Sequence, residues 1–174
     1  MNTLQWNKFK HLLTKEEISS KTILLNEGEI SRKVFFIEKG CLRSWFNNNG
    51  KDITFQFFTE GQIVASIESF KSNQPSLFTI ESIESSIIYS MSKTEFDRVL
   101  EESLDIKKQF EALTFDRLIT YQKLFLSRIK DNPEKRYLNL LETQPEIILR
   151  VPQHYIASYL GITSVSLSRI RNRR

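Results

Sequence analysis

The spacing of apolar residues divides the chain into an all-strand middle flanked by helical ends. From Thr22 to Ser90, short runs rich in β-branched and aromatic residues (TILL, KVFFI, CLRSWF, DITFQFF, QIVASI, LFTIESI, SIIYSM) are separated by turn signals at Asn26-Glu-Gly28, Lys39-Gly40, Asn47-Asn-Asn-Gly50, Glu60-Gly61 and Asn73-Gln-Pro75. Short strands at this regular spacing predict a closed, double-sheet β-roll. Asn49-Gly50 is the strongest hairpin signal, because a two-residue turn that follows the twist of its strands needs positive φ at both central positions.

Upstream, Leu4, Trp6, Phe9, Leu12 and Leu13 have the spacing of a short amphipathic helix. Thr14-Lys-Glu-Glu17, with Leu13 and Ile18 placed to staple it, reads as the capping box of a second helical turn. Downstream, Ser92-Lys-Thr-Glu95 is another capping box, stapled by Met91 and Phe96. A long helix is predicted from Leu104 to Lys130, with no Gly or Pro inside it. One of its apolar stripes is Ile106, Phe110, Leu113, Tyr121 and Leu124; the other is Phe115, Leu118, Phe125 and Ile129. A helix that lies on its own roll needs one stripe, so a second fits the same helix of another subunit, or a helix covered on both sides by its own chain. Phe110, Leu113, Tyr121 and Leu124 are the candidate residues of this dimer helix.

Asp131-Asn132-Pro133 ends the long helix and opens another, with Asn132 as N-cap and Pro133 at the first position. The fold class is therefore α+β, with N-terminal helices and roll over residues 1–103, a linker and dimerisation helix over 104–131, and a helical domain over 132–174. In that last domain Glu134 to Thr143 is a helix that backs the rest through Tyr137, Leu138 and Leu141, and Glu146 to Arg150 reads as a strand-like link. Lys135 and Arg136 read as a solvated face or as phosphate contacts. The stretch RVPQHYIASYLGITSVSLSRIRNRR then predicts two short helices about a tight turn. Ile156 and Leu160 share a face, Ala157 permits a close crossing, and Gly161 suits a positive-φ corner. Ile162 fills the corner, Thr163 caps the next helix, and Leu167 and Ile170 form its buried edge. Ser164, Val165, Ser168 and Arg169 are left facing outward.

Charge singles out the same stretch. Arg150 to Arg174 carries five arginines and no acidic residue, a net of +5, whereas the rest has 20 basic and 21 acidic side chains, a net of −1. A cationic surface beside a helix that exposes short polar side chains suits phosphate attraction combined with major-groove reading. Arg171, Arg173 and Arg174 are candidate phosphate contacts.

Other chemistry is sparse. A chain of 174 residues, 40% apolar and with 13 phenylalanines, can bury a core without staples. Cys41 is the single cysteine, which excludes an internal disulfide, and it reads as a small buried apolar residue. His11 and His154 are far apart, with no HxH pattern, so a metal-dependent enzyme built on the roll is not expected. No cofactor and no catalytic residue is expected. MNTLQWNKFK is not a secretion signal and no apolar run matches a bilayer, so a cytoplasmic protein is expected.

The segment IASYLGITSVSLSRI resembles the DNA-reading helix-turn-helix of the cyclic-AMP receptor protein/FNR (Crp/Fnr) family of bacterial transcription regulators. EGEISRKVFFIEKGCLR resembles the opening of that family's sensor domain, with Gly28, Gly40 and Gly61 at strand corners. The resemblance implies a double-stranded β-helix, a jelly roll of the cyclic-nucleotide-binding kind. It implies base reading by Ser164, Val165 and Arg169, with Ser168 beside them, and phosphate contacts from Gln153, Thr163 and Ser166. Val165 stands where many members have a glutamate that accepts from cytosine, so a different target is implied, with a thymine methyl as a partner. Pro152 replaces the usual hydroxyl cap of the first helix. In that family a two-stranded wing follows the recognition helix; five residues follow Arg169 here, so a full wing is not expected.

GQIVASIESFKSNQPSLFTIE resembles the family's phosphate-binding cassette, with Ser66 and Ser76 where the ribose-binding glutamate and phosphate-binding arginine would stand. A buried phosphate needs a compensating cation, and no arginine lies between Arg43 and Arg98. A response to cyclic AMP is therefore not expected. Trp45, Phe57, Ser66, Lys71 and Ser76 are the candidate effector pocket; another small ligand there, or an interior packed by its own side chains, both remain open. A single cysteine likewise excludes the thiolate-ligated iron–sulfur cluster of FNR-like sensors. The implied function is a homodimeric regulator of transcription that reads palindromic double-stranded DNA, with RNA polymerase as a further candidate partner. The alternative is a ligand-binding or scaffold module that acts through a protein partner and keeps a vestigial DNA-binding domain.

Overall fold

The computed structural model describes residues 7–172. Its strands are β1 (Thr14–Ile18), β2 (Ile23–Leu25), β3 (Lys33–Lys39), β4 (Leu42–Asn48), β5 (Lys51–Phe58), β6 (Ile63–Val64), β7 (Thr79–Ser82) and β8 (Ser86–Ser92). They pair into two antiparallel sheets, in the orders β1-β8-β3-β6 and β2-β7-β4-β5. The jelly roll closes on Phe35, Ile37, Leu42, Phe58, Val64, Ile80 and Ile88, which meet between the sheets. Full burial of one such side chain contributes about 1.5–3 kcal/mol. Asn49 and Gly50, at φ 52° and 83°, turn β4 into β5 with Asn48 opposite Lys51, as the Asn-Gly signal predicts.

Along β3 the side chains alternate, so Val34 and Phe36 leave the interior and cover the outer face of the first sheet. There they join Phe70, Phe96, Val99 and Ile106 from helices α1 (Ile67–Ser72), α2 (Lys93–Glu102) and α3 (Leu104–Lys130). The capping box at Ser92 and Glu95 is formed in both directions, and the Ser103 hydroxyl accepts from the Ile106 N–H at the start of α3. The last part comprises α4 (Pro133–Thr143), α5 (Pro145–Arg150), α6 (Gln153–Leu160) and α7 (Ser164–Asn172). Its core of Tyr137, Leu140, Ile147, Ile156, Leu160 and Leu167 is continuous with Cys41, Phe57 and Ile83 of the roll. The helical domain is therefore seated on the roll. Among the described residues no helix is long and apolar enough to cross a membrane.

Three expectations are corrected. Asn7–Leu12 is a 3₁₀ helix, and Leu4 and Trp6 lie outside the described residues. Thr14–Ile18 is strand β1, not a helical turn: it pairs with β8 from Thr14–Ser90 to Ile18–Ser86, and Glu16 accepts from the Ser90 hydroxyl at 2.6 Å. The ladder supplies bonds that a lone capping box cannot match. Glu146 to Arg150 is helical within α5, because Pro145 starts a turn that buries Ile147. On α3, Phe110 packs edge-on against Phe96 at 5.0 Å and Leu124 packs against the helical-domain core, so both are half-covered by this chain's own residues rather than bare. Leu113 and Tyr121 are exposed, and the stripe left uncovered is Phe115, Leu118, Phe125 and Ile129, each 61–70% exposed.

Candidate nucleic-acid interface

The turn between α6 and α7 is fixed by backbone geometry. Gly161 takes φ 69°; its N–H donates to the Ser158 carbonyl at 2.9 Å, and the Ile162 N–H donates to the Ala157 carbonyl at 3.0 Å. This pair of bonds satisfies the last carbonyls of α6 and reverses the chain. Thr163 then caps α7 by accepting from the Ser166 N–H at 3.1 Å. Leu167 is fully buried beneath. Ser164, Val165, Ser168 and Arg169 are all exposed, and their spacing along a helix puts them on one ridge. Gln153 and Thr163 are exposed nearby, while Ser166 is half-buried with its hydroxyl 3.0 Å from that of Thr163. Arg171 is half-buried; Arg173 and Arg174 lie outside the described residues.

Two arginines clamp the turn from behind. Arg136 donates from Nε and Nη2 to the Leu160 carbonyl at 3.1 and 2.9 Å, and Arg128 donates to the Tyr159 carbonyl. Cations belong at the C-terminal end of a helix, where carbonyls are left unpaired. Burial, helped by the neighbouring Arg136, pushes the Arg128 guanidinium below its usual range. Arg136 is thus committed to the turn, neither a solvated side chain nor a phosphate contact.

The first helix of the pair also docks on the roll. The Ser158 hydroxyl accepts from the Thr54 N–H and donates to the Asp52 carbonyl, both at 2.9 Å. Arg43, only 2% exposed, donates to Glu81 at 2.6 and 2.9 Å and to Thr54 at 3.1 Å. Its guanidinium carbon lies 4.8 Å from the Trp45 ring centre and 3.7 Å from that of Tyr155. Phe57 faces Tyr159 at 5.1 Å. At the edge of this contact Arg150 donates to Glu60 at 2.7 Å and to Glu84, and this pairing chiefly holds the Glu60 carboxyl down at about 2. The Arg150 charge is therefore neutralised locally and leaves the cationic count of the tail. The contacts that join distant segments are not written in local sequence, since Arg43 and Glu81 are 38 residues apart and Asp52 and Ser158 are 106.

The five candidate effector residues fall in different places. Ser66 and Ser76 are buried with their hydroxyls 2.9 Å apart, Trp45 is engaged with Arg43, and Phe57 and Lys71 line a cavity outside the intersheet core. The Ser66 and Ser76 hydroxyls thus satisfy each other inside the roll. Cys41 is buried, and desolvation pushes its thiol up to about 12. Among the described residues no group of three or more His, Cys, Asp or Glu side chains is placed to hold a metal.

Comparison with known proteins fits this geometry. The cyclic nucleotide-binding domain family matches residues 15–103, about half of the chain, and the chain belongs to that family. The whole fold is similar to that of Crp/Fnr regulators. FixK2 from Bradyrhizobium japonicum is 17% identical, with a TM-score of 0.80 over 92% of this chain and 83% of that one. The c-di-GMP responsive global regulator CLP of Xanthomonas campestris is 13% identical, with a TM-score of 0.79 over 99% and 91%. A protein from Eubacterium rectale assigned to the Crp/Fnr family is 18% identical, with a TM-score of 0.74 over 99% and 83%. No curated protein sequence matches the chain.

Proposed function

We propose that the protein is a sequence-specific DNA-binding regulator of transcription that works as a homodimer and does not respond to cyclic AMP. The observation that carries this reading is the ridge of Ser164, Val165, Ser168 and Arg169, exposed on a helix that Leu167 anchors. Helices of this kind enter the major groove, where short polar side chains and arginine reach base edges. The uncovered stripe on α3 supports pairing of two chains along that helix, which would present two ridges to a palindromic site. The Ser66–Ser76 contact supports independence from cyclic AMP, because no buried cation is available there for its phosphate.

Fluorescence anisotropy with duplexes from the promoter of the protein's own operon tests the reading. Arg169→Ala should lose discrimination between related sequences, whereas Arg171→Ala should weaken binding to all of them and reduce the salt slope. Sequence-blind binding by the wild type and by both variants argues instead for a module that acts through a protein partner.

A further inference from the structure

The roll, α3 and the helical domain do not meet flush. They enclose a cavity of about 470 Å³, within the range of small-molecule sites. Its apolar walls include Phe57, Ile63 and Phe70 from the roll side, Phe110 and Leu113 from α3, and Tyr159 from α6. It is a different chamber from the region of Ser66 and Ser76, which are closed on each other.

Among the described residues, one polar atom in this wall is buried without a partner, and one half-buried cation of the same wall has no ion pair. Arg117 of α3 lines the cavity, and among the described residues no carboxylate lies within ion-pairing distance of it. The nearest aromatic ring is that of Phe58, 5.0 Å from the guanidinium carbon. Partial burial pushes this guanidinium below its usual range, against a smaller opposing effect of Tyr121, as expected for a cation drawn partly out of water. Gln56, in the same wall, has a buried side-chain oxygen with no hydrogen-bond partner among the described residues. Such groups cost stability unless something binds them. The other charges of the wall, Lys71, Asp116 and Glu146, make it electrically neutral as a whole. It therefore suits one anionic head at Arg117 and disfavours a polyanion.

We propose that this junction cavity binds a small organic anion: an apolar body, a single carboxylate or sulfonate met by Arg117, and an N–H or O–H donor for Gln56. Because α3, the roll and α6 all contribute walls, occupancy changes how the helical domain sits on the roll. That consequence rests on the DNA-binding reading; occupancy itself does not, and is measured without DNA.

The probe pair is anilinonaphthalene sulfonate and its neutral parent N-phenylnaphthylamine, which share the N–H and the aromatic body and differ by the anion. Both are titrated by fluorescence into wild type, Arg117→Gln and Leu113→Trp, each variant first shown to melt as cooperatively as wild type. Wild type should bind the sulfonate saturably, one per chain, and about ten-fold or more tighter than the neutral parent, as one charge-assisted contact implies. Arg117→Gln should lose that preference while keeping the neutral parent, and Leu113→Trp, which fills the cavity, should lose both. Three results each overturn the proposal: an Arg117→Gln protein that keeps the preference, a Leu113→Trp protein that keeps both ligands, and displacement of the sulfonate by cyclic AMP.

Discussion

Arg43 of β4 and Tyr155 of α6 are in face contact, with the guanidinium carbon 3.7 Å from the ring centre. One residue belongs to the roll and the other to the first helix of the helix-turn-helix. Glu81 neutralises Arg43 along the guanidinium edge, with Asp52 3.3 Å from the same edge, so one desolvated cation ties the two units together. A stacked guanidinium of this kind is selective for arginine, whose plane covers a ring while its edge donates.

Arg43→Met should destabilise the protein by about 3–5 kcal/mol, since it leaves the Glu81 carboxylate buried without a counter-charge. The double variant Arg43→Met, Glu81→Gln should recover much of that loss. Urea unfolding of both variants checks this; equal destabilisation by the single and double changes contradicts the account.

Gly161→Ala should cost about 1 kcal/mol or more, because a side chain is forced into positive φ. The added carbon also meets the Arg128 guanidinium at 2.5 Å, so the clamp on the turn must shift. The measurement is thermal unfolding, with Gly61→Ala as the comparison: that glycine has similar φ, 79°, but open space around it, and should lose only the backbone part.

Acid should loosen the seat of the helical domain. The Glu60 carboxyl is held down at about 2 in the folded protein, against 4.5 for an ordinary glutamate, chiefly through Arg150. A carboxylate held down in this way stabilises the fold above its unfolded pKa, and that contribution fades as pH falls from about 5 towards 2. The group is substantially exposed, so solvent screening keeps the effect modest. Glu60→Gln should flatten the pH dependence of stability over that window; an unchanged slope contradicts the pairing.

The exposed stripe on α3 should hold two chains together. Leu118→Arg with Phe125→Arg introduces like charges across a paired helix and should yield a folded monomer in sedimentation velocity where the wild type is a dimer. Ile106, buried on the opposite side, keeps the variant folded. A variant that sediments as the wild type assigns the dimer contact elsewhere.

Elements specified by neighbours in sequence were legible in advance: the Asn49-Gly50 hairpin, the Ser92 capping box, the span of α3, the Asn132 cap and the Gly161 turn. The turns and caps depend on residues within one turn of each other, the span of α3 on an uninterrupted run without Gly or Pro, and the structure reproduces them. Thr14 to Glu17 misled because its pattern is equally a capping box, and only the distant β8 strand decides the matter. The contacts of Phe110 and Leu124 within the chain were not legible because apolar spacing marks a stripe without showing what packs against it. The Arg43 seat, the Arg128 and Arg136 clamp and the junction cavity were invisible because most of their partners come from other elements. Arg43 marks the limit well: its lone position ahead of a long arginine-free stretch was noticeable, but its ring partner lies 112 positions on.

The ridge on α7 is the centre of the account, and selection from a pool of random duplexes tests it most directly. Wild-type protein should enrich an inverted repeat with half-sites about ten base pairs apart, centre to centre. Arg169→Ala should relax the preference at one base-pair position in each half-site. A folded wild-type dimer that enriches no sequence at physiological salt would contradict the assignment of Ser164, Val165, Ser168 and Arg169 as base-reading residues.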